Sequence, residues 1–443
     1  IAEGTYSPST TGWTFSIFLI DNINLVGAGE ELTVIDAELT SSVLAIYNQD
    51  NISISSLTFT GGIAEPNSFL GGITMYYSDI TMTHVTIKEI GGNSNLEGNS
   101  CGIFMQSSNP TLTHVTVNDN TEGGIVLVLS DPTITNLTVS GNTGVGIDMF
   151  YSNPAMTYLT VSGNTGTGIR MHNNSSMTIT HGTISDNERG IYVYECDTVV
   201  LQDVIISGNS IEGGTGFDHA GGGIKSSNTK LILADVIVTG NSSSSDGGGM
   251  SIGGGYLKMN NVTISGNYSG TNGGGMSCGD SVIMTNCTIT GNTAAWNGSG
   301  IKTGSGTFVN TIINNNSSDE DIHFSNSNFA YYADMSFCNI GGITCGSTGP
   351  IPCEVGGEGN NYDDPVFTDP GSGDYSLAPG SPCIDSGDPD PWYTDLDGTS
   401  NDMGATGGPF VLSSFYSHDF GLVGPTQNGN NTTWTLLNHR ETP

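Results

Sequence analysis

Five isoleucines set the period of this chain. Ile103, Ile125, Ile147, Ile169 and Ile191 stand 22 residues apart, one after another. A second file, Asn120, Asn142, Asn164, Asn187 and Asn209, keeps nearly the same step. Between these markers apolar and polar residues alternate, which is strand periodicity; no stretch of ten or more residues shows helical spacing. In "GIFMQSSNPTLTHVTVNDN" the alternation turns Ile103 and Met105 to one side and Phe104 and Gln106 to the other, before Leu112, Val115 and Val117 return inward. Three short strands per repeat, with Gly and Asn at the bends, predict one turn of a parallel β-helix. Gly supplies positive φ at such corners, and Asn tolerates it while hydrogen-bonding along a stack.

Coiling piles like residues about 4.8 Å apart, the spacing of paired strands. The file Met82, Leu112, Ile134, Met156, Ile179, Leu201, Leu233, Met259, Met284 is a predicted core, as is Val117, Val139, Val161, Ile184, Ile206, Val238, Ile264, Ile289. Each buried aliphatic contributes roughly 1.5–3 kcal/mol. Departures from the period mark loops: the step from Ile73 to Ile103 is 30, that from Ile191 to Ile224 is 33, and the steps on to Met250, Met276 and Ile301 are 26, 26 and 25. All the insertions fall between a Gly-Asn bend and the next Gly-Gly, so one edge of the coil carries a row of loops.

Eight Lys and Arg against 43 Asp and Glu give a formal charge of -35. That balance argues against nucleic acid, against anionic membrane surfaces, and against polyanionic glycans unless calcium bridges them. It suits a secreted or cell-surface protein. No apolar run is long enough to span a bilayer, and a start at Ile1 reads as a mature or trimmed piece. Of eight cysteines, Cys338, Cys345, Cys353 and Cys383 crowd after the repeats, where disulfides would staple irregular loops. Cys278 and Cys287 fall within strands and read equally as buried thiols.

"IAEGTYSPST" with "INLVGAGEELTVIDA", the rungs "LTFTGG", "VTISGN" and "GGGM", and the closing "NNYDDPVFTDPGSGDYSLAPGSPCIDSGDPD" together resemble secreted bacterial right-handed parallel β-helix proteins of the pectate-lyase-like superfamily. The resemblance covers about residues 1–410 and implies a fold more firmly than an activity. "HDFGLVGPTQNGNNTTWTLLNHRETP" is similar to the start of an immunoglobulin-like module, which implies a piece of a larger surface protein. Enzymatic relatives carry a Lys or Arg base near calcium-binding Asp residues, or paired Asp on the strands; neither pattern matches here residue by residue.

Function should lie where the copies differ, on the outward positions of the first strand beside the loop row. One outward column reads Asp148, Arg170, Tyr192, Lys225, and its neighbour Phe150, His172, Tyr194. Asp218 and His219 lie in the longest loop, and Glu195 follows Tyr194. Aromatic faces beside acid and Arg groups suit a sugar ring, so Asp148, Phe150, Arg170, His172, Tyr192, Tyr194, His219 and Lys225 are the candidate glycan-binding residues. Were the site catalytic, Asp148 with Glu195 or Asp218 would supply paired carboxylates, and His172 or Arg170 a base. The alternative for Asp148 and Arg170 is an exposed ion pair worth about 0–1 kcal/mol.

His84, His114 and His181 share one bend position with Asn136, Tyr158, Asp203, Asp235, Asn261 and Asn286, and that mixture reads as turn residues rather than metal ligands. The outward threonines, Thr111 and Thr113 with their repeats, form a grid that an ice-binding face would share, although Thr is also an ordinary strand former. In "DSGDPDPWYTDLDGTSND", Asp395, Asp397, Asn401 and Asp402 offer hard oxygen ligands for a structural Ca²⁺; tight Asp-Gly turns explain them as well.

The expected architecture is all-β: a right-handed parallel β-helix with an N-terminal cap over residues 1–330, a Cys/Asp/Gly-rich closing segment over 331–410, and a partial immunoglobulin-like module or linker over 411–443. The leading expectation of function is a non-enzymatic, adhesin-like surface protein with a glycan-binding face. A polysaccharide lyase or glycoside hydrolase is the alternative, and a filament built by end-to-end or lateral self-association a further one.

Overall fold

Each turn of the chain lays down three short strands, and these pair in parallel with their counterparts one turn on. In the computed structural model, which describes residues 1–63, 71–91, 101–214, 216–317, 320–325, 333–346 and 355–408, about thirteen such turns make the expected all-β, right-handed solenoid. The first face stacks Cys101–Gln106, Gly123–Val128, Ile147–Phe150, Thr167–His172 and Arg189–Tyr194 in a register that sets the five marker isoleucines side by side. Longer strands, Thr111–Asn118, Thr133–Ser140, Ala155–Ser162 and Met177–Ser185, supply the second and third faces.

One residue divides each long strand between those two faces. His114, Asn136, Tyr158, His181, Asp203, Asp235, Asn261 and Asn286 all stand at φ between 51° and 59°. A single left-handed residue redirects the strand without breaking its pairing, and Asn, Asp and His adopt that conformation more readily than most. The bend column is therefore made of turn residues, as the sequence indicated.

Both predicted files are interior. Met82, Leu112, Met156, Val117, Val139, Val161 and Ile206 are each no more than 1% exposed. At the corner between the third and first faces the asparagines form a buried ladder. The backbone N–H and the side-chain Nδ2 of Asn120 both donate to Asn142 Oδ1, at 3.1 and 2.8 Å. The pattern repeats rung by rung to Asn316, across every loop insertion between. Polar groups held in an apolar coil stay there only because each has a partner.

Two ends frame the coil differently. The short helix Pro8–Thr11 is boxed by Ser7 and buries none of its own residues, while Phe18, Ile20 and Val26 on the first turn remain 67%, 65% and 48% exposed. The closing segment instead lies along the flank, over the bend column: Cys383 and Met403 pack on Ile312, and Gly404 N–H donates to Asn310 O at 2.7 Å. This placement corrects one expectation. Cys338 and Cys383 are buried free thiols rather than staples; Cys338 stacks in the apolar interior, where burial pushes its thiol up to about 12. Cys345 is disulfide-bonded, and Cys353 and the module expected over 411–443 lie outside the described residues. Among the described residues no helix is long and apolar enough to cross a membrane.

Candidate functional site

Stacking brings the varied outward residues of the first face into contact. Asp148 pairs in register with Arg170, Arg170 with Tyr192, and Tyr192 with Lys225. Phe150, His172 and Tyr194 make the adjacent column. Arg170 donates from Nε to Asp148 Oδ1 at 2.9 Å and from Nη2 to Oδ2 at 2.6 Å. This forked geometry is the strong form of an Arg–carboxylate pair, and it raises the Arg170 pKa. Asp148 is only 7% exposed, so the pair is half-sunk rather than the solvent-exposed one considered from the sequence.

Beside it lies an aromatic cluster. The Phe150 and His172 rings stack at 5.4 Å, and His172 meets the edge of Tyr192 at 5.7 Å. Burial lowers the His172 pKa, with Asp148 pulling the other way, which favours the neutral imidazole. Two cations then approach Tyr192, the Arg189 guanidinium at 5.2 Å and the Lys225 ammonium at 5.1 Å from the ring centre. Three of the eight basic residues of the whole chain thus gather on one patch.

Lys225 departs from expectation. Its side chain is 1% exposed, and Asp218 reaches over it with Oδ1 3.8 Å from Nζ. The insertion between the neighbouring turns folds back over this column, so Lys225 lies beneath the surface instead of on it. Burial, then the nearby Arg189, brings its pKa down to about 8. Arg189 anchors the covering loop by donating to the carbonyls of Gly221 at 3.2 Å and Asp218 at 2.5 Å. Arg189 is not among the outward residues singled out from the sequence; its register opposite Thr167 and the scarcity of basic residues were the available signals.

The remaining candidates divide. Tyr194 stays on the surface, its pKa raised by a hydrogen bond with Glu195. His219 turns into its own loop, where the imidazole packs against Gly214 and Nδ1 is buried without a hydrogen bond among the described residues. His219 therefore serves the loop and does not join the aromatic cluster. Phe104, higher in the same outward column, is 4% exposed and tilts against Tyr76.

At the proposed calcium turn, the acidic oxygens already serve as acceptors. Asp395 takes the N–H of Asp402 at 3.1 Å and of Gly408 at 2.5 Å. Asp397 takes the N–H and the hydroxyl of Thr399, and Asp402 the N–H of Asp385. Asn401 is buried, with Nδ2 donating to the carbonyl of Asp402. Among the described residues no three His, Cys, Asp or Glu side chains group as a metal site would. Burial and mutual repulsion nevertheless raise the pKa of Asp395, and burial that of Asp402.

Several solved structures are similar to this chain. The A-module of a mannuronan C-5 epimerase from Azotobacter vinelandii is 16% identical, with a TM-score of 0.46 over 82% of this chain and 90% of that one. A pectate lyase is 12% identical, with a TM-score of 0.45 over 83% and 88%. The catalytic domain of an α-1,3-glucanase is 14% identical, with a TM-score of 0.41 over 68% and 59%. No curated protein matches the chain. The profile of the right handed beta helix region matches residues 21–165 and 130–269, together more than half of the sequence. The chain belongs to the right-handed β-helix family.

Proposed function

We propose that the protein is a secreted or cell-surface β-helix that binds a glycan on its first face, between the turns of Asp148 and Lys225. The observation that carries this reading is the convergence of Arg170, Arg189 and Lys225 on an aromatic cluster of Phe150, His172 and Tyr192, in a chain with so few basic residues. Aromatic groups take the C–H face of a sugar, and the surrounding donors and acceptors fix its hydroxyls or a single carboxylate. Coil repetition supplies a rigid platform, as an adhesin-like stalk requires. A polysaccharide array tests the reading. Binding by the parent chain, weakened about tenfold or more by Phe150→Ala and Arg170→Ala, is the expected result; equal binding by all three sinks it.

One observation favours a second reading as a carbohydrate-active enzyme. A lysine with its pKa near 8 is a competent proton acceptor at mildly alkaline pH. Movement of the Asp218 loop would be needed to bring a uronate to Lys225. Release of unsaturated products from an acidic polysaccharide, abolished by Lys225→Met, would establish that reading over simple binding.

A structural Ca²⁺ at the Asp395 turn belongs to the same proposal. A divalent ion there would offset the burial, and the repulsion from Asp402 and Asp397, that raise the Asp395 pKa.

A further inference from the structure

The bend column does more than turn the chain. With the outward threonines of the third face it walls a groove of about 690 Å³ at the corner between the second and third faces. His114, Asn136, Tyr158 and His181 form one wall, and Thr138 and Thr160 belong to the other. Two rings of the first wall stack along the coil axis, Tyr158 on His181 at 5.0 Å and 12°. The faces that these two rings turn to each other are thus taken, and stacking along the axis presents their edges outward, which disfavours a sugar ring lying flat on them.

The same two columns are already occupied further down the coil. Register runs unbroken along the outward file of the third face from Thr138 through Thr160, Thr183, Ile205, Ile237, Thr263 and Thr288 to Ile312. At its far end the chain's own closing segment is seated. Asn286 Nδ2 donates to Gly407 O at 3.0 Å, and Ala405 N–H donates to Thr288 Oγ1 at 2.9 Å. Thr288 and Ile312 are consequently 2% and 1% exposed, whereas Ile205 and Ile237 on the bare stretch are each 41% exposed.

The pair that grips the closing segment recurs inside the groove. Asn136 and Thr138 stand in the same bend and outward columns as Asn286 and Thr288, and Asn136 has nearly the same φ, 54° against 51°. Asn136 Nδ2 lies 3.2 Å from His114 Nε2, which leaves its second amide hydrogen available. We infer that this groove is a docking strip for an extended, small-residue polypeptide segment of another protein chain, chemically like residues 401–408. Its backbone carbonyl would accept from Asn136, and its backbone N–H would donate to Thr138 Oγ1. The groove is continuous with an interface the molecule itself displays, independently of what the first face binds.

The test uses the whole chain and a fluorescent synthetic peptide with the sequence of residues 401–408, titrated by polarisation. Saturable binding is expected, weakened about tenfold by Thr138→Arg and by Asn136→Gly, and unchanged by Thr111→Arg on the second face. Glycine keeps the left-handed bend while removing the amide, and circular dichroism confirms that each variant is folded. No saturable binding, or undiminished affinity in both groove variants, overturns the proposal. So does a neutral linear hexasaccharide that binds the parent and is lost on Thr138→Arg while the peptide does not bind.

Discussion

Arg170 grips Asp148 with two nitrogens across neighbouring turns, although 22 residues separate them in sequence. The Asp148 side chain is 10% exposed and that of Arg170 38%, so the carboxylate depends on the pair more than the guanidinium does. Arg170→Ala is expected to cost about 1–2 kcal/mol, because it leaves a largely buried acceptor charge. The double variant with Asp148→Ala recovers part of that loss. Urea unfolding of the four proteins measures the coupling; strictly additive losses would show that the pair contributes nothing.

Lys225 gives stability a particular dependence on pH. Its pKa falls from 10.5 to about 8 on folding, so the folded state disfavours the charged form. The penalty is complete below about pH 8, shrinks as pH rises towards 10.5, and vanishes above it. Unfolding midpoints should therefore gain a rising contribution across that window. Lys225→Met should remove this contribution and raise the midpoint at neutral pH. An unaltered pH profile in the variant would place the lysine in solvent.

A break in the asparagine ladder should be felt on both sides. Asn164→Ala deprives Asn142 of the acceptor for its backbone N–H and its Nδ2, and takes from Asn187 Oδ1 the side-chain one of its two donors, the backbone N–H of residue 164 remaining. A loss of about 3 kcal/mol is expected from chemical denaturation. A loss below about 1 kcal/mol would mean that water replaces the amide.

Calcium at the Asp395 turn predicts that chelator lowers the melting temperature and that added Ca²⁺ restores it, with Asp395→Asn insensitive to both. Identical melting curves with and without chelator remove the ion from the account.

Self-association is expected through the exposed first turn. Sedimentation should show concentration-dependent growth that Phe18→Asp with Ile20→Asp suppresses, since both side chains stand two-thirds exposed on an unpaired edge. A monomer at every concentration sinks the filament idea.

The repeat made the coil legible, because a 22-residue step converts sequence position directly into height along an axis. For the same reason Asp148, Arg170, Tyr192 and Lys225 are assigned to one column by the sequence alone. What the alternation could not tell is whether an outward residue is open or covered. Lys225 is sealed by an insertion whose path has no period, and Arg189 enters the site through that loop's carbonyls. The fate of Cys383 and the covering of Thr288 depend on a segment that returns from more than 100 residues away, as the Asn286–Gly407 contact shows. Local pattern carries no signal for such a return.

The relay of asparagine amides has an implication for descent. Because every rung offers its successor the same acceptor and takes the same donors from its predecessor, whole turns are interchangeable parts. Gene duplication or deletion in units of one turn would leave the splice chemically seamless, whereas a fragment of a turn would strand an amide. Reach is thus a quantity that selection can dial in discrete steps, with each face's chemistry left to drift on its own.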